Sequence, residues 1–212
     1  LGGDEDFVLP DAYVSTYEII ETIGHKPEAF TQGLTFDESG RYLFSSDGLY
    51  KQSMVRKEHV LLREGKTVLA EEASTPNAAK HFAEGIAIVG DKLVQLTWQE
   101  KQINEFGLDT LEKVREGVPF PVGREGWGLA YDGAKLYVTD STEYLFHVDP
   151  TSYAELARVP VLDPRLAGYG NGKPAWYPGS QSYAKEGAMP IDGVNELEMV
   201  EGELWGNVYP MY

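Results

Sequence analysis

Apolar and polar positions alternate with a period of two through most of this chain, and no stretch sustains the 3.6-residue spacing of an amphipathic helix. Four segments share one pattern: FTQGLTFDESGRYLFSSD (30–47), FAEGIAIVGDKLVQLTW (82–98), EGWGLAYDGAKLYVTD (125–140) and VNELEMVEGELWGNVY (194–209). Each opens on a polar or aromatic residue and runs through a short apolar stretch. Each then turns through an acid–Gly element (DESG, VGD, YDG, VEG) and resumes as an alternating strand. Two alternating runs around such a turn predict a β-hairpin.

Further strand-like stretches lie between the hairpins: SMVRKEHVLL and KTVLAEEA, then KQINEFG and LEKVREG, then YLFHVDP and YAELARVPV. The repeating unit is therefore four short strands. Aligned on their first inner position, the segments fall 52, 43 and 68 residues apart. Strand count and spacing predict an all-β propeller with four-stranded antiparallel blades. The long third interval carries an excess at about 162–190, dense in Gly, Pro, Tyr and Trp, expected to be a loop insertion within one domain spanning 13–212. Residues 1–12 read as an N-terminal arm, and 16–24 (TYEIIETIG) alternates like a strand that closes the last blade.

The innermost strand of each propeller blade lines the central channel, so the first inner position should face a shared pocket. That position holds Gln32, Glu84, Trp127 and Asn195, four different chemistries on one scaffold. The ends of the following strands add Asp47, Trp98, Asp140 and Tyr209. The expected centre is one carboxylate, Glu84, walled by Trp98 and Trp127 and flanked by the amides of Gln32 and Asn195. A carboxylate buried against indoles has its pKa raised by desolvation and exchanges protons near neutral pH. The plainer alternative is that Glu84 pairs with a basic group and the tryptophans pack between blades.

Charge and composition narrow the partners. The net charge is −16, from 34 acidic and 18 basic residues, which disfavours nucleic acid and anionic lipid. No apolar run approaches the ~18 residues that a membrane-spanning helix needs. There is no cysteine, which removes disulfides, thiol catalysis and cysteine-held metals. The four histidines, His25, His59, His81 and His147, show no metal-ligand spacing. The chain begins at Leu1, from which prior processing is expected.

The stretches AFTQGLTF (29–36), Gly48-Leu49-Tyr50 with Val55 and Arg56, 82–98, 126–140 and 194–208 together resemble the plant and bacterial type of glutaminyl cyclase (glutamine cyclotransferase). The resemblance covers most of 13–209 and leaves the 162–190 insertion outside. It implies a five-bladed propeller, without metal or cofactor, that converts an N-terminal glutamine of a peptide or protein to pyroglutamate with release of ammonia. It implies that Glu84 shuttles the proton, that Gln32 and Asn195 hold the side-chain amide, and that Phe30, Trp98 and Trp127 form the aromatic surroundings. It also implies secretion or an organelle lumen.

Two departures stand out. Tyr209 occupies the place of a third family tryptophan, fourteen residues after Asn195. The 212 residues end after the fourth hairpin, so the C-terminal part of a five-bladed ring, with the basic residue it brings to the pocket, is expected to be missing or supplied by a partner chain. A non-catalytic propeller subunit of a larger assembly is the alternative. A carbohydrate-binding propeller is a third reading, although glycoside hydrolysis generally uses two carboxylates.

Overall fold

The computed structural model describes residues 18–163 and 189–209. The expected arm at 1–12 and the interior of the 162–190 insertion lie outside the described residues. Within them the chain is built of strands, and their order follows the repeat. The first sheet takes β1 (Thr31–Phe36), β2 (Tyr42–Asp47), β3 (Met54–Arg63) and β4 (Lys66–Pro76) in sequence order. The second takes β5 (Ala83–Val89), β6 (Lys92–Thr97), β7 (Gln102–Gly107) and β8 (Lys113–Pro119). The third takes β9 (Leu129–Tyr131), β10 (Leu136–Val138), β11 (Tyr144–Val148) and β12 (Glu155–Pro160). All neighbours pair antiparallel, so each sheet is a meander of the kind that makes a propeller blade.

A short pair follows, β13 (Leu162–Asp163) with β14 (Met189–Pro190). It ties together the two ends of the insertion, which therefore leaves and rejoins the body at one place. The fourth repeat is a two-stranded hairpin, β15 (Val194–Val200) and β16 (Glu203–Val208). All four acid–Gly turns fall between the first two strands of their sheets, as the alternation requires.

The core is divided by interface. Phe44 and Val55 of the first sheet pack on Ile86, Leu93 and Phe106 of the second. Leu96 and Ile103 of the second meet Leu129, Leu136 and Phe146 of the third. Ala130 of the third meets Val194 and Leu197 of the fourth repeat. Burying such side chains contributes about 1.5–3 kcal/mol each, so the stability of each blade rests on its neighbours. The inner strands β1, β5, β9 and β15 contact one another in that order, and β15 also contacts β1. Their approach is close. A Cβ on Gly85 would come within 2.6 Å of the Trp127 carbonyl oxygen, and the Gly85 amide donates to that same oxygen at 2.8 Å.

One expected strand is absent. Residues 18–24 form no strand. They run along the outer edge of the first sheet instead, where Glu21 accepts bonds from the amide and hydroxyl of Thr67 and Lys26 pairs with Glu71. The alternation of this stretch misleads because side-chain anchors, rather than ladder bonds, hold it. Ile19 and Ile20 stay exposed.

Candidate functional site

The site grows from the starts of the inner strands. The Gly33 and Gly85 positions draw β1 and β5 together, which places the two residues just before them side by side. Gln32 Nε2 donates to Glu84 Oε1 at 3.1 Å. Glu84 is only 4% exposed, and no salt bridge among the described residues includes it. The basic partner of the plainer sequence reading is therefore not found there. Burial pushes the Glu84 carboxyl up to about 9; the Gln32 amide opposes this, and the negative charges of Glu125 and Glu100 add to it. A carboxyl with an amide partner and no cation is an acid at neutral pH, able both to give and to take a proton.

An aromatic cluster stands beside it. Trp98 directly follows β6, and its amide donates to the Phe82 carbonyl at 2.9 Å. The Phe82 ring meets Trp98 edge-on at 5.5 Å, Phe30 at 6.0 Å and Tyr50 at 5.4 Å. Trp127 meets Tyr209 edge-on at 6.3 Å, so the tyrosine keeps an aromatic wall on that side. Asn195 and Gln32 line opposite sides of a cleft of about 510 Å³ between β1 and the β15–β16 hairpin. Glu84, Trp98 and Trp127 are not among the residues lining that cleft. The predicted residues thus form three linked groups rather than one closed pocket: the Gln32–Glu84 pair, the Phe30–Phe82–Trp98 cluster and the Trp127–Tyr209 pair, with Asn195 across the cleft.

The ring of strand ends divides by chemistry. Trp98 and Tyr209 join the aromatics. Asp47 turns away to bond Arg56 Nε at 2.8 Å, and Asp140 accepts from the Arg124 amide at 2.7 Å and from the Thr142 side chain. Both aspartates are buried structural anchors. Arg56, one of the residues that carry the family resemblance, serves this anchoring role.

Four neighbours were not among the expected site residues, although Phe82 and Tyr50 fall in stretches that carry the family resemblance. Phe82 stands two residues before Glu84, as Phe30 stands two before Gln32, so the matched F-x-Q-G and F-x-E-G starts contained the signal. Tyr50, Glu100 and Glu125 lie on connections outside the inner strands. Glu100 accepts from the Phe82 amide at 3.2 Å, and Glu125 accepts from the Ser141 hydroxyl at 2.9 Å. Among the described residues there is no group of three or more His, Asp or Glu arranged to hold a metal ion.

Comparison with known proteins agrees with this geometry. A family model described as glutamine cyclotransferase matches residues 5–166, more than half of the chain. A glutaminyl-peptide cyclotransferase of Arabidopsis thaliana is 33% identical over 197 residues, covering 92% of this chain and 51% of the plant protein. The crystal structure of the Myxococcus xanthus glutaminyl cyclase superposes with a TM-score of 0.60 at 27% identity, over 88% of this chain and 64% of that one. The chain spans about half the length of the plant relative. By sequence and by fold, the chain belongs to the glutamine cyclotransferase family.

Proposed function

We propose that this protein is a glutaminyl-peptide cyclotransferase that converts an N-terminal glutamine to pyroglutamate and ammonia, with Glu84 as the proton shuttle. The observation that carries the reading is Glu84 itself, a buried carboxyl raised to about 9 with the Gln32 amide as its partner. A peptide α-amine has a pKa of about 7.7–8. A carboxyl near 9 is the stronger base, so the one proton shared by the pair rests on Glu84 and the amine stays free as a nucleophile.

The reaction then balances without an outside proton. The amine nitrogen attacks the side-chain amide carbon and forms the five-membered ring. Glu84 first delivers its proton to the departing nitrogen, which leaves as ammonia as the carbon–nitrogen bond breaks, and then takes up the proton that the ring nitrogen sheds, which restores the neutral carboxyl. Gln32 bonds Glu84 Oε1, which leaves Oε2 for the transfers. Asn195 and the second N–H of Gln32 support the developing oxyanion. Phe30, Phe82, Trp98, Trp127 and Tyr209 exclude water and hold the glutamine folded back on itself.

The complete ring in this reading has five blades within one domain. Supporting a propeller are the three four-stranded meanders and the succession of contacts between their inner strands, and the family resemblance supports the count of five. We place its action in the secretory route or an organelle lumen, a setting that suits the substrate class.

The test is ammonia release from a short Gln-initiated peptide. Turnover that yields the pyroglutamyl product supports the reading. A folded protein that releases no ammonia overturns it in favour of a scaffold that keeps the family fold.

A further inference from the structure

We infer that Tyr50 and Glu100 form the subsite for the residue that follows the terminal glutamine, favouring an aromatic or basic side chain there and disfavouring an acidic one. This rests on the cyclase reading and assigns a specificity role to the Gly48-Leu49-Tyr50 turn, which the chemistry at Glu84 does not use.

The turn is built onto the site. Gly48 is buried against it: a Cβ at Gly48 would come within 2.6 Å of the Phe82 ring and 3.1 Å of the Gln32 side chain. The Gly48 amide donates to the Phe30 carbonyl at 2.7 Å. Leu49 and Lys51, on either side of Tyr50, adopt φ of 79° and 69°, a left-handed conformation that ordinary side chains resist. Surrounding bonds hold them there. The Ser53 hydroxyl donates to the Leu49 carbonyl at 2.9 Å, the Lys51 amide to the Ala79 carbonyl at 3.0 Å and the Gln52 amide to the Leu49 carbonyl at 3.1 Å. Such local strain needs a return, and what the turn presents is one side chain.

That side chain is an aromatic ring at the rim. Tyr50 is 42% exposed and meets Phe82 edge-on, on a ring that also contacts Phe30, itself 49% exposed. Phe82 is the half-buried centre, and the two outer rings are open to solvent. Glu100 completes the rim. It holds the Phe82 amide and interacts with the Tyr50 hydroxyl. It also lies close enough to Glu84 for its charge to be felt there. A peptide whose terminal glutamine reaches Glu84 leads its second residue out past this rim. An aromatic residue there gains an offset or edge contact with Tyr50, and a basic one gains the carboxylate. An acidic one meets repulsion from Glu100.

The experiment compares kcat and KM on Gln-Phe-, Gln-Lys-, Gln-Gly- and Gln-Asp-initiated peptides for the wild type, Tyr50→Ala, Tyr50→Phe and Glu100→Gln. Tyr50→Ala should raise KM on Gln-Phe about three- to tenfold while leaving Gln-Gly nearly unchanged, with Tyr50→Phe restoring it. Glu100→Gln should narrow the gap between Gln-Lys and Gln-Asp. A general structural role would lower turnover on all four peptides alike, so equal losses overturn the inference. So does a Tyr50→Ala protein with unaltered KM on every peptide, and in that case the wild-type activity leaves the cyclase reading standing. A wild type that turns over none of the four overturns the cyclase reading and the subsite together.

Discussion

Two carboxyls of the second sheet are almost equally buried and behave in opposite ways. Glu84, on inner strand β5, is 4% exposed, and Glu105, on β7, is 1% exposed. Burial pushes both upward. At Glu105 it is outweighed by bonds from Arg115, Tyr153 at 2.7 Å and Lys92 at 3.2 Å, which together hold the carboxyl below its usual value. At Glu84 the Gln32 amide is too weak to reverse it, and Glu100 and Glu125 push the same way. Burial alone therefore does not separate a structural carboxylate from a chemical one. The charge of the partners does: Lys92 on β6 and Arg115 on β8 reach Glu105, and no cation pairs with Glu84 among the described residues.

The largest expected break in this contrast is Glu84→Gln, which keeps shape and burial but carries no transferable proton. Ammonia release should fall by about 10²–10⁴-fold while thermal unfolding stays cooperative. A mutant with wild-type turnover removes the proton-transfer role. Arg115→Ala acts on the other carboxyl and should do the reverse. It strips Glu105 of one charged partner and costs about 0.5–1.5 kcal/mol of stability, because Arg115 is half exposed and Lys92 and Tyr153 remain, read by urea unfolding, while kcat of the folded protein is kept. A loss of kcat without a loss of stability would place Glu105 in the chemistry instead.

The pH dependence of stability sharpens the same comparison. The raised Glu84 stays protonated in the folded protein up to about 9 and ionises near 4.5 when unfolded, so its contribution is full below that lower value and is lost as pH rises across the interval. Glu84→Gln should accordingly gain stability relative to the wild type from pH 5 to 9, by up to about 1.4 kcal/mol per pH unit. Glu105 has the opposite sign: its contribution is present above the unfolded carboxylate value and is lost as pH falls through its lowered folded value. Parallel stability curves for wild type and Glu84→Gln would show that Glu84 is ionised at neutral pH.

Activity gives the smallest and most specific effect. kcat/KM should be bell-shaped, with an acid limb from the substrate amine and an alkaline limb near 9 from Glu84. Glu125→Gln removes a neighbouring negative charge and should move only the alkaline limb, downward. An alkaline limb at the same pH in that variant would mean that Glu125 does not act on Glu84.

Much of this was readable from the chain because it is local. A period of two with an acid–Gly turn specifies a hairpin whatever surrounds it, so the four-stranded sheets and the shared register of Gln32, Glu84, Trp127 and Asn195 follow from adjacent residues. The same locality explains the miss at 18–24, where an alternating pattern met no strand to pair with and was held by Glu21 and Lys26 instead.

What only the tertiary structure decided depends on residues far apart in sequence. Asp47 and Asp140 occupy the same repeat position as Trp98 and Tyr209, yet the aspartates anchor backbone and Arg56 while the aromatics face their rings. Phe82 becomes the centre of its cluster because Phe30 and Tyr50 arrive from the neighbouring blade. Glu84 becomes an acid because the side chain that reaches it across 52 positions is an amide and not a cation. Alternation determines which way a side chain points, and only the packing of one blade on the next determines what it meets there.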